Sequence, residues 1–206
     1  NMSCELIDPY VFISDTKIAG ASDIFKIVEF CVKQNRPLLL IAHSFHPEVI
    51  SLLNVNKDKG ILKCCAIHAP AYGSNRTSIL KDIELLTGAT LHCPEHGFNA
   101  GFITPSLLGS LRKVTVYYDH SIMVCGEVNS SELVSTVSRL KSDIRGCKNE
   151  LERIELEKRL MRLESGVCAL YVGGDNDLER RELYDRVDDA LRSTVSAIDF
   201  GILPGG

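Results

Sequence analysis

From residue 11 to residue 88, short apolar runs alternate with amphipathic stretches, and this alternation restricts the fold more than any other feature of the chain. Residues 11–13 read as a short strand ended by Ser14-Asp15. Ile24, Ile27, Val28, Cys31 and Val32 then share one stripe at helical spacing, which predicts a helix over 23–34 capped by Ser22 and closed by Asn35. Residues 37–41 form a continuous apolar run, the pattern of a strand covered on both faces. Pro47 suits the first turn of a second helix, 48–59, with Gly60 as its stop. A strand over 61–67, a turn at 69–73 and a third helix over 76–87, ended by Gly88, complete the series. Amphipathic helices that alternate with short apolar strands give an α/β domain whose sheet is at least partly parallel.

Beyond this the pattern changes twice. Residues 90–110 are interrupted by glycine and proline and predict irregular chain, followed by a hairpin of 114–118 and 121–125 around Asp119-His120. From 130 to 164 there is no proline and a single glycine, Gly146. Leu133, Val137, Leu140, Ile144, Cys147 and Leu151 recur there in steps of four and three, a heptad seam, and Leu156, Leu160 and Leu163 continue an apolar face. Two helices hinged near Gly146 fit this length, and so short a seam packs on its own domain rather than dimerising. Ser165-Gly166 ends the second helix. A strand over 167–172, a Gly173-Gly174 turn and a last helix over Asp177–Phe200 follow, with a domain boundary at Gly166.

Charge and cysteine usage narrow the function classes. The net charge is -4 and no basic stripe is present, which argues against nucleic acid as a partner. No run approaches the roughly 18–20 apolar residues of a membrane span, and residues 1–4 have neither the basic nor the apolar region of a signal peptide. The eight cysteines lack a C-x-x-C pair and read as reduced, buried small hydrophobes in a reducing compartment. Cys64 and Cys65, adjacent on a strand, must point to opposite faces. His92-Cys93-Pro94-Glu95-His96 offers metal-ligand types, but zinc needs three or four ligands with supporting groups and no second cluster is visible, so no metal site is expected. Asp199-Phe200-Gly201 spells the kinase metal-binding triplet without the glycine-rich loop, strand lysine or catalytic loop that a kinase requires.

The order of the pieces resembles the GroEL-like (group I) chaperonins. The residues that carry the likeness are Pro37-Leu38-Leu39-Leu40-Ile41-Ala42, Gly60-Ile61-Leu62-Lys63, Ala69-Pro70 with Gly73, and Leu80-x-Asp82-Ile83-x-x-Leu86-Thr87-Gly88. Gly166-Val167, Arg186-Val187-x-Asp189-Ala190 and Gly201-Ile202-Leu203-Pro204-Gly205-Gly206 complete it. Single pieces are weak, but seven in order across nearly the whole chain are specific, and the low identity between them marks a divergent paralogue.

The resemblance implies an apical-domain-like polypeptide-binding domain over 1–166, built of layered helices and short strands with a long helical hairpin. The second half of an intermediate domain, a strand and a helix, follows over 167–206, with a hinge at Gly166. The equatorial domain that holds nucleotide in the family lies outside this chain. The family's groove for unfolded polypeptides, and for the co-chaperonin lid, falls between the first two helices, with Phe25, Val28, Ile50 and Val55 as its lining. Asn54 departs from an apolar family position, and His43 and His46 replace acids beside Glu48. Asp189 matches the aspartate that orients the water attacking the γ-phosphate of ATP, whereas Asp188 reads as a surface acid. ATP and Mg²⁺ would then belong to a full-length, ring-forming homo-oligomer in bacterial cytoplasm or an organelle interior. The fragment itself is expected to be a monomer with no cofactor and no enzymatic activity. The alternative is a stand-alone α/β interaction scaffold. A longer parent sequence with a glycine-rich phosphate loop separates the two.

Overall fold

Three parallel strands organise the larger part of the molecule. The computed structural model describes residues 3–93, 103–126, 131–147, 149–164, 170 and 172–203. It divides into two compact units, Asn1–Val167 and Cys168–Gly206. In the first unit, β1 (Cys4–Ile7), β2 (Tyr10–Ile18), α1 (Ala21–Gln34), β3 (Leu38–Phe45), α2 (Pro47–Asp58), β4 (Cys64–His68) and α3 (Gly73–Thr87) come first. A 3₁₀ turn (Pro105–Leu107), β5 (Gly109–Ser110), β6 (Lys113–Val116), β7 (Ser121–Val124), α4 (Ser131–Gly146) and α5 (Glu150–Glu164) follow.

The main sheet has the order β4-β3-β2-β5. β2, β3 and β4 run parallel, and β5 is antiparallel to β2. A second, antiparallel sheet has the order β1-β6-β7. Strand alternation splits the core in two. Phe12, Leu38, Leu40, Ala42 and Cys64 point to α1 and α2, where they meet Ile24, Ile27, Cys31, Val49 and Leu53. Val11, Ile13, Leu39 and Ile41 point the other way, onto Leu6 and Val114 of the second sheet and Leu80 of α3. Cys65 packs on this second cluster and Cys64 belongs to the first, so the adjacent pair straddles the sheet.

The expected parallel α/β order and the hairpin at β6–β7 are present, with several corrections. β1 was not anticipated. β2 does not end at Ser14-Asp15 but continues to Ile18 through an irregularity between Ser14 and Lys17. Its polar middle is tolerated because the buried Ser14 hydroxyl is hydrogen-bonded to Thr16 Oγ1 at 2.9 Å and His92 Nδ1 at 3.2 Å. Helix α1 is capped at Gly20 rather than Ser22, and the Asp23 carboxylate accepts the N–H groups of Ala19 and Gly20 at 3.1 and 3.0 Å. Asn35 closes it in the left-handed region, φ 51°. α3 begins three residues early, at Gly73. Gly109 is forced by close approach, since a Cβ there would collide with the backbone of Thr87 and Ala89.

In the helical pair, Thr136, Leu140 and Leu163 are buried. The seam fails at Leu151, which is 75% exposed. Lys141 bridges to Glu164 across the pair. The pair is fixed to α3 by Asp82, whose carboxylate is 3% exposed and accepts from Arg159 Nε at 2.8 Å and Arg162 at 3.3 Å. In the first turn of α3, Arg76 and Thr77 hold Asp15 of β2 at 2.5 and 2.7 Å.

The second unit is described chiefly by α6 (Asp177–Phe200). Asn176 caps it by accepting the Glu179 N–H at 2.9 Å. The expected hinge at Gly166 and most of the expected strand over 167–172 lie outside the described residues, as do Pro94, Glu95 and His96 of the conceivable metal stretch.

Candidate functional site

Helices α1 and α2 cover the same face of the main sheet. On α1 the stripe of Ile24, Ile27, Val28 and Cys31 is consumed by the core, which leaves Phe25 on the flank, 58% exposed. On α2, Val49 and Leu53 are consumed in the same way, and Ile50 and Val55 remain 37% and 48% exposed. Asn54 is exposed one turn after Ile50. Three of the four expected lining residues are therefore presented to solvent on neighbouring helices. Val28 is a correction. It is 6% exposed and belongs to the core, because it stands one turn after Ile24 on the stripe that faces the sheet.

An exposed apolar residue that follows α2 was missed. Ile61 reads as the start of a strand, yet its N–H turns back onto Asn56 of α2 at 2.9 Å and its side chain is 49% exposed. Helix propensity alone marks no such return. Gly60, in the left-handed region at φ 67°, is the signal that permits it.

His46 stands at the start of α2, whereas the His43 side chain is turned to α3. His46 is the N-cap of α2, with Nδ1 accepting the Glu48 N–H at 3.5 Å. His43, at the end of β3, accepts from Arg76 at 3.1 Å, and its carbonyl is bonded to His68 at 3.1 Å. On the outer side of α1 a Glu29–Lys33 pair, 2.6 Å apart, follows Phe25 by one turn. Exposed pairs of this kind contribute little to stability, but they set the charge next to the apolar side chains.

Asp189 lies exposed on α6, and its neighbour Asp188 is paired with Arg192 at 2.9 Å. Among the described residues, no group of three or more His, Cys, Asp or Glu side chains is placed to hold a metal ion. No helix among the described residues is long and apolar enough to cross a membrane.

By sequence likeness and by fold the chain is chaperonin-like. Chaperonin CPN60-2, mitochondrial, of Zea mays is 35% identical over 203 residues, which are 98% of this chain and 35% of that protein. The chain thus spans about a third of the length of this curated relative. The crystal structure of the chaperonin gp146 from the bacteriophage EL 2 (Pseudomonas aeruginosa) superposes with a TM-score of 0.67 at 21% identity, over 98% of this chain and 40% of that one, a likeness of fold. An open-state group III chaperonin reaches a TM-score of 0.43 at 13% identity over 100% of this chain and 36% of its own, too loose to support an argument. No family model matches the chain.

Proposed function

We propose that this chain is the polypeptide-binding portion of a protein-folding chaperonin, and that the exposed flank of α1 and α2 takes the non-native chain. The observation that carries this reading is the exposure of Phe25, Ile50 and Val55 on adjacent helices of a chaperonin-like chain. Folded proteins hide their apolar side chains and unfolded ones present them, so an apolar flank selects by folding state rather than by sequence. Each anchor contributes at most roughly 1.5–3 kcal/mol if fully covered, and these are already partly covered. A single flank therefore binds weakly. A ring of such flanks gains roughly 10²–10⁴ in avidity, which favours a homo-oligomeric ring for the longer protein and a monomer for this piece alone. A co-chaperonin lid would compete for the same flank, with its charge-tuned contacts altered by His43 and His46.

In the same reading Asp189 orients the attacking water during ATP hydrolysis, while the cradle for ATP and Mg²⁺ comes from residues outside this chain. This piece then neither binds nor turns over nucleotide. Gly166 serves as the hinge between the two units, and the mitochondrial relative favours an organelle interior.

The deciding experiment measures binding of a fluorescently labelled, permanently unfolded protein. Phe25→Ser with Ile50→Ser should abolish binding while leaving circular dichroism and melting nearly unchanged. Asn54→Val should tighten it by about threefold to tenfold, the effect of one added apolar anchor. Unchanged affinity in both variants would overturn the assignment of the flank. Micromolar Mg-ATP binding by calorimetry would overturn the placement of the nucleotide site.

A further inference from the structure

β4 is the outer strand of the main sheet, and one of its edges is unpaired among the described residues. Its ladder to β3 opens with the Leu38 N–H on the Lys63 carbonyl at 2.9 Å and closes with the Ala69 N–H on the Ala42 carbonyl at 2.8 Å. Alternate residues of a strand turn their main-chain groups to the same neighbour, so Cys65 and Ile67 face β3. Ala66 and His68 turn theirs outward, and no described group pairs with them. Ala66 is half-buried and His68 is exposed, so solvent reaches this edge. A cavity of about 610 Å³ lies against it, between β4, the β6–β7 hairpin and α3. Ile41, Ile67, Ile83, Val116 and Met123 give it an apolar lining. These side chains belong to the second core cluster, so the cavity is on the sheet face opposite α1 and α2. The hairpin turn builds its rim, where His120 is bonded to Asp119 at 2.7 Å and stacks on Tyr117 with ring centres 4.6 Å apart.

We propose that the outer edge of β4 and this cavity form a second polypeptide site, which takes an extended segment of a non-native chain as an added strand. The main chain identifies the occupant. The outward N–H and C=O groups of Ala66 and His68 stand two residues apart along one line, and another extended backbone is the partner that matches them. The cavity sets what that segment carries. Successive side chains of a strand point to opposite faces, so every second residue of the added strand projects to the cavity side. An apolar cavity of this size takes a large aliphatic or aromatic side chain there. A second copy of this chain fits poorly, because Cys64, Cys65, Ala66 and Ile67 of its own β4 are already packed on its two core clusters. A strand pair between copies leaves the cavity unfilled. That the occupant is a non-native chain rests on the polypeptide-binding reading, whereas the edge itself is independent of the flank of α1 and α2. The flank selects by exposed side chains. The edge selects by exposed backbone as well, which folded proteins withdraw into their own helices and sheets.

The test uses a fluorescein-labelled peptide in which Thr and Phe alternate between terminal lysines. Anisotropy reads its binding to the whole chain, both wild type and with Phe25→Ser and Ile50→Ser, where the flank no longer contributes. Two counterparts carry N-methyl groups, one on every Phe amide and the other on every Thr amide. Their side chains are unchanged, but in an added strand only one of these sets of amides faces β4. One methylated peptide should bind the double variant like the parent, and the other about tenfold or more weakly, through the loss of edge hydrogen bonds. His68→Pro removes an outward N–H and no bond to β3, so it should weaken the parent peptide by a similar factor with melting nearly unchanged. No binding, or two methylated peptides that bind alike, would overturn the proposal. Binding to the wild type that vanishes in the double variant would overturn it too, and would leave the flank reading standing. Concentration-dependent dimerisation that His68→Pro abolishes would assign the edge to a second copy and refute a polypeptide site there.

Discussion

Asp82→Ala removes a carboxylate that ties the helical pair to α3. Asp82 is 3% exposed on its side chain, and it receives Arg159 Nε at 2.8 Å and Arg162 at 3.3 Å. Breaking a fully buried ion pair by deleting one partner costs about 3–5 kcal/mol, because the other charge is left without compensation. Here Arg159 is 23% exposed and Arg162 is 41% exposed, so both recover part of their hydration. The expected loss falls to about 2–4 kcal/mol. In a chain of this size each kcal/mol moves the midpoint by about 2–4 °C, so melting should drop by roughly 5–15 °C. Asp82→Asn should cost less, since its amide oxygen still accepts from Arg159. Differential scanning calorimetry reads the midpoint, and hydrogen exchange locates the change. Protection should fall first in α4 and α5 while β2, β3 and β4 keep theirs. A midpoint within 1 °C of wild type, or loss of protection in the parallel sheet before the helical pair, would refute the view that this carboxylate anchors the pair.

Three further outcomes follow from packing and titration. Gly109→Ala should cost about 1–3 kcal/mol by urea denaturation, because the added methyl meets backbone at Thr87 and Ala89 that has no rotamer with which to yield. Val28→Ala should cost about 2 kcal/mol for two buried methyl groups and the void they leave, whereas Phe25→Ala should cost well under half of that. Equal losses would erase the distinction between core and flank. Burial pushes the Cys31 thiol up to about 12 against a smaller opposing pull from Arg36, so the unfolded chain releases this proton near pH 9 and the folded chain does not. That contribution is complete below about pH 9 and is lost as pH rises toward 12, and Cys31→Ala should flatten the alkaline slope of stability.

Helix ends were the most legible part of the fold. Asn35 and Gly88 both occupy left-handed closures, and Pro47 sits in the first turn of α2. Such residues act through their own backbone, so sequence alone exposes them. The continuation of β2 past Ser14 was hidden for the opposite reason. Its polar residues Ser14, Asp15 and Thr16 are satisfied by His92, Arg76 and Thr77, all more than 60 positions away, and no local pattern announces such partners. β1 was missed because four residues with one buried side chain, Leu6, carry almost no periodic signal. At the two-helix flank, helical spacing separates Phe25 from the core stripe but cannot say which edge of that stripe the sheet covers. Val28 fell on the covered side for that reason.

Helix α3 has no slack end. Its first turn is held to β2 through Arg76, Thr77 and Asp15, and its middle is held to α5 through Asp82. Its last turn is held to the returning chain, where Glu84 takes the Leu91 N–H at 2.8 Å. Fifteen residues make a rod about 22 Å long, gripped at three levels by three different elements. Such a rod behaves as a spar. A tilt imposed on the helical pair at Asp82 would therefore reach Asp15, in the middle of β2, through a single helix.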